Sequence, residues 1–243
     1  MHLREYHSQI KSHFYLFNHK RGALIHPILV FTICCLLLYA LFEIFKSVDI
    51  WNTMARAGGN TLHFCEFNRE DLVIKQIANT WSNLAYLLVG FILLSIGFKD
   101  HLYKERHQLG NLIARHPGFT ILLGVALIYL FVGSFFYHAS LTRTFQILDV
   151  GGIYAVVLAL LSYNVFRTFP KIKSKKRTQL THKTILAIAI LLNVFVVVEV
   201  YKWNINVVFP ILIGLLLVLN IIHLVKKTSK QNYIVYILSL IHI

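Results

Sequence analysis

Charge is scarce in this sequence: Asp, Glu, Lys and Arg make up 14% of its 243 residues, and only 10 of them are acidic. With 57% hydrophobic residues and a mean hydropathy of +0.64, that scarcity excludes a soluble globular domain of this length. Cysteine is scarcer still. Of the three, Cys34 and Cys35 sit inside an apolar run and Cys65 stands alone, so there is no disulfide framework and the redox compartment stays open.

What is abundant is apolar sequence in long runs. Residues 1–22 are polar and basic, and the run from Ala23 to Phe45 has the length needed to cross a hydrocarbon layer of roughly 30 Å. It is longer than the apolar region of a signal peptide, so it reads as a retained helix. Further spans are expected near 79–98, 118–140, 146–167, 184–201 and 206–225. After Lys230 the run NYIVYILSLIHI stops at Ile243, having reached only about 18 Å as a helix. The expectation is an all-α, polytopic membrane helix bundle with six complete spans and a partial seventh, in a sequence that is a fragment. Its parts are a cytoplasmic basic segment at 1–22, a first transmembrane helix at 23–45 and a membrane domain over 46–243 that is C-terminally incomplete.

The formal charge of +14 would suggest a nucleic-acid partner in a soluble protein. Here the basic residues fall between apolar runs, where they orient the chain and meet anionic headgroups of the bilayer, and no nucleic-acid partner is expected. With the N-terminus cytoplasmic, the cytoplasmic segments hold 18 of the 24 Lys and Arg residues, among them the run KIKSKKR at 171–177. The other side keeps Lys46, Arg56, Arg69, Lys75, Arg143 and Lys202. The positive-inside rule thus places the acidic segment after the first helix on the non-cytoplasmic side, together with the end of the 118–140 span and the start of the next. Trp51, Trp81, Tyr103, Tyr137, Tyr201 and Trp203 lie near span ends and suit interfacial belts.

Two polar constellations interrupt the apolar pattern. In GSFFYHASLTRTFQILDVGGIY, from Gly133 to Tyr154, Ser134 and His138 are four residues apart and share a helix face. The polar LTRT that follows can reverse the chain, so that a hairpin of two helices brings His138 and Asp149 to one end of the bundle. Such groups are costly in lipid. They are either functional or hydrogen-bonding glue between helices, and taken singly they support both readings. The second constellation is HFCEFNREDLVIKQIANTWSN, from His63 to Asn83, where Glu66, Asn68, Glu70, Asp71 and Gln76 offer the hard oxygen ligands that calcium prefers. No EF-hand pattern is present, and a solvated acidic loop is the commoner origin of such a stretch. Asn79 stands where it would cap the next helix, and Ser82 or Asn83 could bond a neighbouring helix.

Together, FCEFN at 64–68, QIANTWSN at 76–83 and GSFFYHASLTRTFQILD at 133–149 resemble the alkaline ceramidase family, within the membrane hydrolases that include adiponectin-receptor-like and Per1-like proteins. In order, they resemble the family's Trp-Cys-Glu-x-Asn segment, its Asn-Thr-x-Ser-Asn helix start and its Gly-Ser-x-x-x-His followed eleven residues later by Asp. The resemblance covers about residues 63–155. It implies a seven-helix bundle that hydrolyses the amide of ceramide, or of a related membrane lipid, to a sphingoid base and a fatty acid. The implied cofactors are zinc and, in the N-terminal loop, calcium. His138 would be one of three zinc-binding histidines, Asp149 the carboxylate beside the zinc-bound water, and Ser134 a hydroxyl near the developing oxyanion. Glu66, Asn68, Gln76 and the backbone carbonyl of Phe64 would hold calcium. The helix at 23–45 has no counterpart in compact members and is an addition.

The sequence also departs from the family. Phe64 stands for the usual Trp, His63 replaces an Asp and Gln76 a Glu, which lowers the ligand charge and with it the expected calcium affinity. The family's other two zinc ligands form a His-x-x-x-His pair, and no two of the 13 histidines here are four apart. His223 falls at a cytoplasmic helix end, and His242 alone would make only two ligands with His138. The chain is therefore expected to lack part of its zinc site and to be inactive alone. The alternative function is a non-enzymatic lipid-binding or receptor-like membrane protein of the same fold.

Overall fold

The computed structural model describes residues 2–57, 66–103, 112–168, 186–192, 194–195 and 205–227. They form helices α1 (His2–Phe45), α2 (Ile77–Ser82), α3 (Leu84–Leu102), α4 (Leu112–Arg115), α5 (Gly118–Ser140), α6 (Arg143–Thr168) and α7 (Ile205–Lys227). Residues 186–192 and 194–195 are helical as well. The extended pairing among the described residues is a single antiparallel bridge between Arg56 and Thr142.

Five stretches among the described residues are long and apolar enough to cross a membrane: Leu24–Phe45, Ile77–Leu102, Gly118–Ser140, Arg143–Thr168 and Asn206–Val225. They coincide with five of the six complete spans expected from the sequence. The sixth, at 184–201, is described only in part, and the partial seventh lies outside the described residues. The protein is an integral membrane protein whose regular elements, among the described residues, are all helices.

The long helices pack in chain order, α1 on α3, α3 on α5, α5 on α6 and α6 on α7, with the short α2 against α5. Half of the α5 span is buried against 6% of Leu24–Phe45, which makes α5 the centre and α1 the rim. Leu36, Leu37 and Ile44 of α1 are turned outward, an apolar surface that is stable in lipid.

Lipid supplies no hydrophobic drive for helix association, so these contacts rest on close packing. A Cβ on Gly133 of α5 would lie 2.5 Å from the backbone nitrogen of Asp149 and 2.5 Å from the carbonyl carbon of Leu148. A Cβ on Gly152 of α6 would lie 2.5 Å from Leu130 Cα. One bare position on each helix therefore lets the two backbones touch. Phe135, fully buried on α5, gathers the aromatic core from three elements: its ring lies 5.9 Å from Phe42 of α1, 5.7 Å from Trp81 of α2 and 5.1 Å from Phe131.

Of the aromatics expected at interfacial belts, Tyr137 is buried and Trp81 half-buried. Trp81 packs edge-on against Phe42 and Phe135, and Tyr137 is 2% exposed. The segment before α2 folds onto the end of α5, so nearness to a span end does not decide exposure.

Gly133→Ala and Gly152→Ala should each destabilise the bundle by roughly 1–3 kcal/mol of overpacking. Gly214→Ala, with no described residue within 4 Å of the added methyl, should be neutral or slightly stabilising. Thermal unfolding of the three variants in detergent checks this, and similar melting of Gly133→Ala and Gly214→Ala would count against the backbone contact.

Candidate active site

The last carbonyls of a helix have no partner within it, and each one left unpaired in lipid costs several kcal/mol. At the end of α5 the partners come from distant backbone. Gln76 N donates to His138 O at 3.1 Å, Lys75 N to Ala139 O at 2.9 Å and Ala57 N to Leu141 O at 2.9 Å. Leu141 turns left-handed at φ 52°, a conformation costing about 1–3 kcal/mol outside glycine. Its own N–H closes the helix onto Tyr137 O at 2.6 Å, and Arg143 N reaches Ala55 O at 2.8 Å to begin α6. The reversal expected at LTRT is thus built on Leu141 and Thr142 and held by segments 55–57 and 75–76.

This backbone clasp sets Gln76 beside His138. His138 Nδ1 lies 2.6 Å from Gln76 Oε1, and an amide oxygen only accepts, so Nδ1 carries the proton and Nε2 the lone pair. Gln76 Oε1 also accepts from Asn79 Nδ2 at 3.2 Å, while Gln76 Nε2 donates to Asn68 Oδ1 at 2.6 Å. Gln76 is wholly buried and His138 nearly so.

One turn earlier on α5, the Ser134 hydroxyl is hydrogen-bonded to the Asp149 carboxylate of α6, and both side chains are buried. Gly133 is the reason they meet, since it admits the α6 backbone at Leu148 and Asp149 against α5. Tyr129 and Tyr137 lie within electrostatic reach of Asp149. Tyr129 Oη is buried against Gly151 and has no hydrogen-bond partner among the described residues. The expected meeting of His138 and Asp149 therefore resolves into two neighbouring pairs, Ser134 with Asp149 and His138 with Gln76. Sequence reasoning placed Gln76 in the acidic loop and did not connect it to His138. Tyr129 it passed over, although its spacing of four from Gly133 puts it on the same face.

The acidic segment is organised by the other kind of helix end. Glu66 Oε1 accepts from Ala78 N at 2.9 Å and from Arg69 Nη1 at 3.2 Å, and Oε2 accepts from Asn79 N at 2.8 Å. The carboxylate sits on the positive end of α2. Burial opposes its ionisation, but the Asn79 and Ala78 amides and the Arg69 guanidinium outweigh burial and hold the carboxyl below its usual range. Asn79 is therefore not the cap: it lies in the first turn, and its own N–H is one of those that Glu66 satisfies from upstream. Ser82 and Asn83 bond back to Asn79 O, at 3.0 and 2.8 Å, so neither of these bonds reaches a neighbouring helix. Glu70 and Asp71 are exposed, Glu70 pairing with Arg56 at 2.9 Å, and Phe64 lies outside the described residues.

The donor sets can be weighed against the two implied metals. His138 offers Nε2 while its other nitrogen is held by an amide oxygen, the arrangement that orients metal-bound histidines. It fits zinc. Among the described residues no three of His, Cys, Asp and Glu cluster around it or elsewhere. Calcium takes six to eight oxygens. Of Glu66, Asn68 and Gln76 only the first is a carboxylate, and the side-chain oxygens of all three accept from protein donors, so this set does not fit calcium. A separate cavity of about 170 Å³ beside the α5–α6 corner, walled by Asp49, Lys75 and Thr142 among others, shares no residue with either buried pair.

No curated protein and no solved structure matches the chain. The family described as Ceramidase matches residues 58–241, about three quarters of its length. The match takes in the acidic segment, the α5 end that it caps, and both buried pairs, leaving all of α1 ahead of it. On that extent, and on helices built for lipid with polar pairs buried between them, the chain belongs to the ceramidase family.

Proposed function

We propose that the chain forms the frame of a zinc-dependent membrane amidase that hydrolyses ceramide or a related lipid amide to a sphingoid base and a fatty acid. The observation that carries this reading is the buried Ser134–Asp149 pair one turn from His138, inside the ceramidase-family match. Ionisable groups between membrane helices are costly unless they are used.

Zinc would be held through His138 Nε2. When bound, it brings the pKa of a water to about 7 and polarises a carbonyl. Asp149 takes a proton from the attacking water and returns it to the departing amine, and the Ser134 bond keeps the carboxylate aimed. As negative charge grows on the substrate carbonyl oxygen, the Ser134 hydroxyl turns from Asp149 to donate to it. Gln76 fixes the tautomer and tilt of His138. The distribution of basic residues supports a cytoplasmic N-terminus with this site toward the opposite side.

In a preparation that holds zinc and hydrolyses lipid amide, His138→Ala should abolish both; zinc retained at full stoichiometry would remove His138 from the site. Asp149→Asn should lower kcat by about 10²–10⁴-fold and Ser134→Ala by about 10²–10³-fold, read by mass spectrometry of the released sphingoid base from ceramide in nanodiscs. Gln76→Leu should weaken zinc binding by roughly 10–100-fold in a chelator competition. An intact chain that binds ceramide but holds no zinc and releases no sphingoid base is instead a lipid-binding relative.

A further inference from the structure

We propose that this chain fastens the segment carrying Glu66, Asn68 and Gln76 with its own donors, the Arg69 guanidinium and the Gln76 amide, in place of a calcium ion. A cluster of acceptors alone needs a cation to hold it together, since oxygens facing one another repel. Glutamate at position 76, beside the Asn68 oxygen and the Glu66 carboxylate, would make such a cluster. Glutamine changes the count. Its oxygen accepts from His138 Nδ1 at 2.6 Å and Asn79 Nδ2 at 3.2 Å, and its nitrogen donates to Asn68 Oδ1 at 2.6 Å, so the amide satisfies acceptor and donor sides at once.

The remaining charge is matched from within. Glu66 is the one carboxylate of the set, and Arg69 Nη1 lies 3.2 Å from its Oε1 while the α2 amides occupy the rest. Arg69 is anchored at its backbone too, donating to Lys75 O at 2.9 Å, next to the residue whose amide bonds His138 O. A calcium ion entering this site would have to displace a guanidinium, an amide pair and the partner of His138 together. The consequence is that His138 is held in position without calcium.

The test is thermal unfolding of the full chain in detergent, in millimolar calcium chloride and in EGTA, a readout that needs no turnover and so stands or falls apart from the amidase reading. The wild type should melt at the same temperature in both buffers. Arg69→Gln should melt several degrees lower in both. Gln76→Glu, which restores an acceptor-only cluster, should melt lower in EGTA and recover with calcium. Calcium stabilisation of the wild type, a wild-type-like Arg69→Gln, or a Gln76→Glu variant indifferent to calcium would each overturn the proposal. If Gln76→Glu yields no folded protein in either buffer, the wild type and Arg69→Gln decide.

Discussion

Everything at this end of the bundle depends on where the final carbonyls of α5 find hydrogen-bond donors. In water a frayed helix end is satisfied by solvent; between lipid-crossing helices it must be satisfied by protein. Here the donors are the amides of Ala57, Lys75 and Gln76, from two segments well before α5 in sequence. Because those amides are backbone, the clasp fixes main-chain positions and carries side chains with it. Gln76 arrives against His138 as a by-product of capping a helix, and Leu141 can bear a left-handed turn because both its N–H and its carbonyl are bonded.

The second fixed distance is the α5–α6 contact. Gly133 and Gly152 bring the two backbones to touching range, and that spacing lets a short serine side chain reach an aspartate on the next helix. A longer spacing would leave Asp149 buried without a partner, an arrangement far more costly than the paired one. The two constraints meet on one helix, one turn apart. That is how four polar side chains can be assembled between apolar helices without an extended polar surface.

The acidic segment obeys the same rule at the opposite kind of helix end. α2 begins with unpaired N–H groups, and the Glu66 carboxylate supplies what a local capping residue would otherwise supply. One short segment therefore closes the start of α2 and the end of α5, and the bonds that do so run through Glu66, Gln76 and Lys75.

By itself the sequence determined the class and the framework. The long apolar runs read as lipid-crossing helices, the spacing of Ser134 and His138 put them on one helix face, and the polar LTRT allowed a chain reversal, because these follow from composition and local period. It did not determine which polar groups pair. Asn79 as a cap and Tyr137 at an interface were both reasonable from local position. Each was displaced by a contact between residues far apart in the chain: Glu66 reaching the start of α2, and the segment at 75–76 covering the end of α5; the pairing of Ser134 with Asp149 likewise needed Gly133 to draw α6 close. Hydrogen bonds in a low-dielectric interior are made wherever a donor and an acceptor are brought together, and only the tertiary packing of backbone on backbone decides which ones those are.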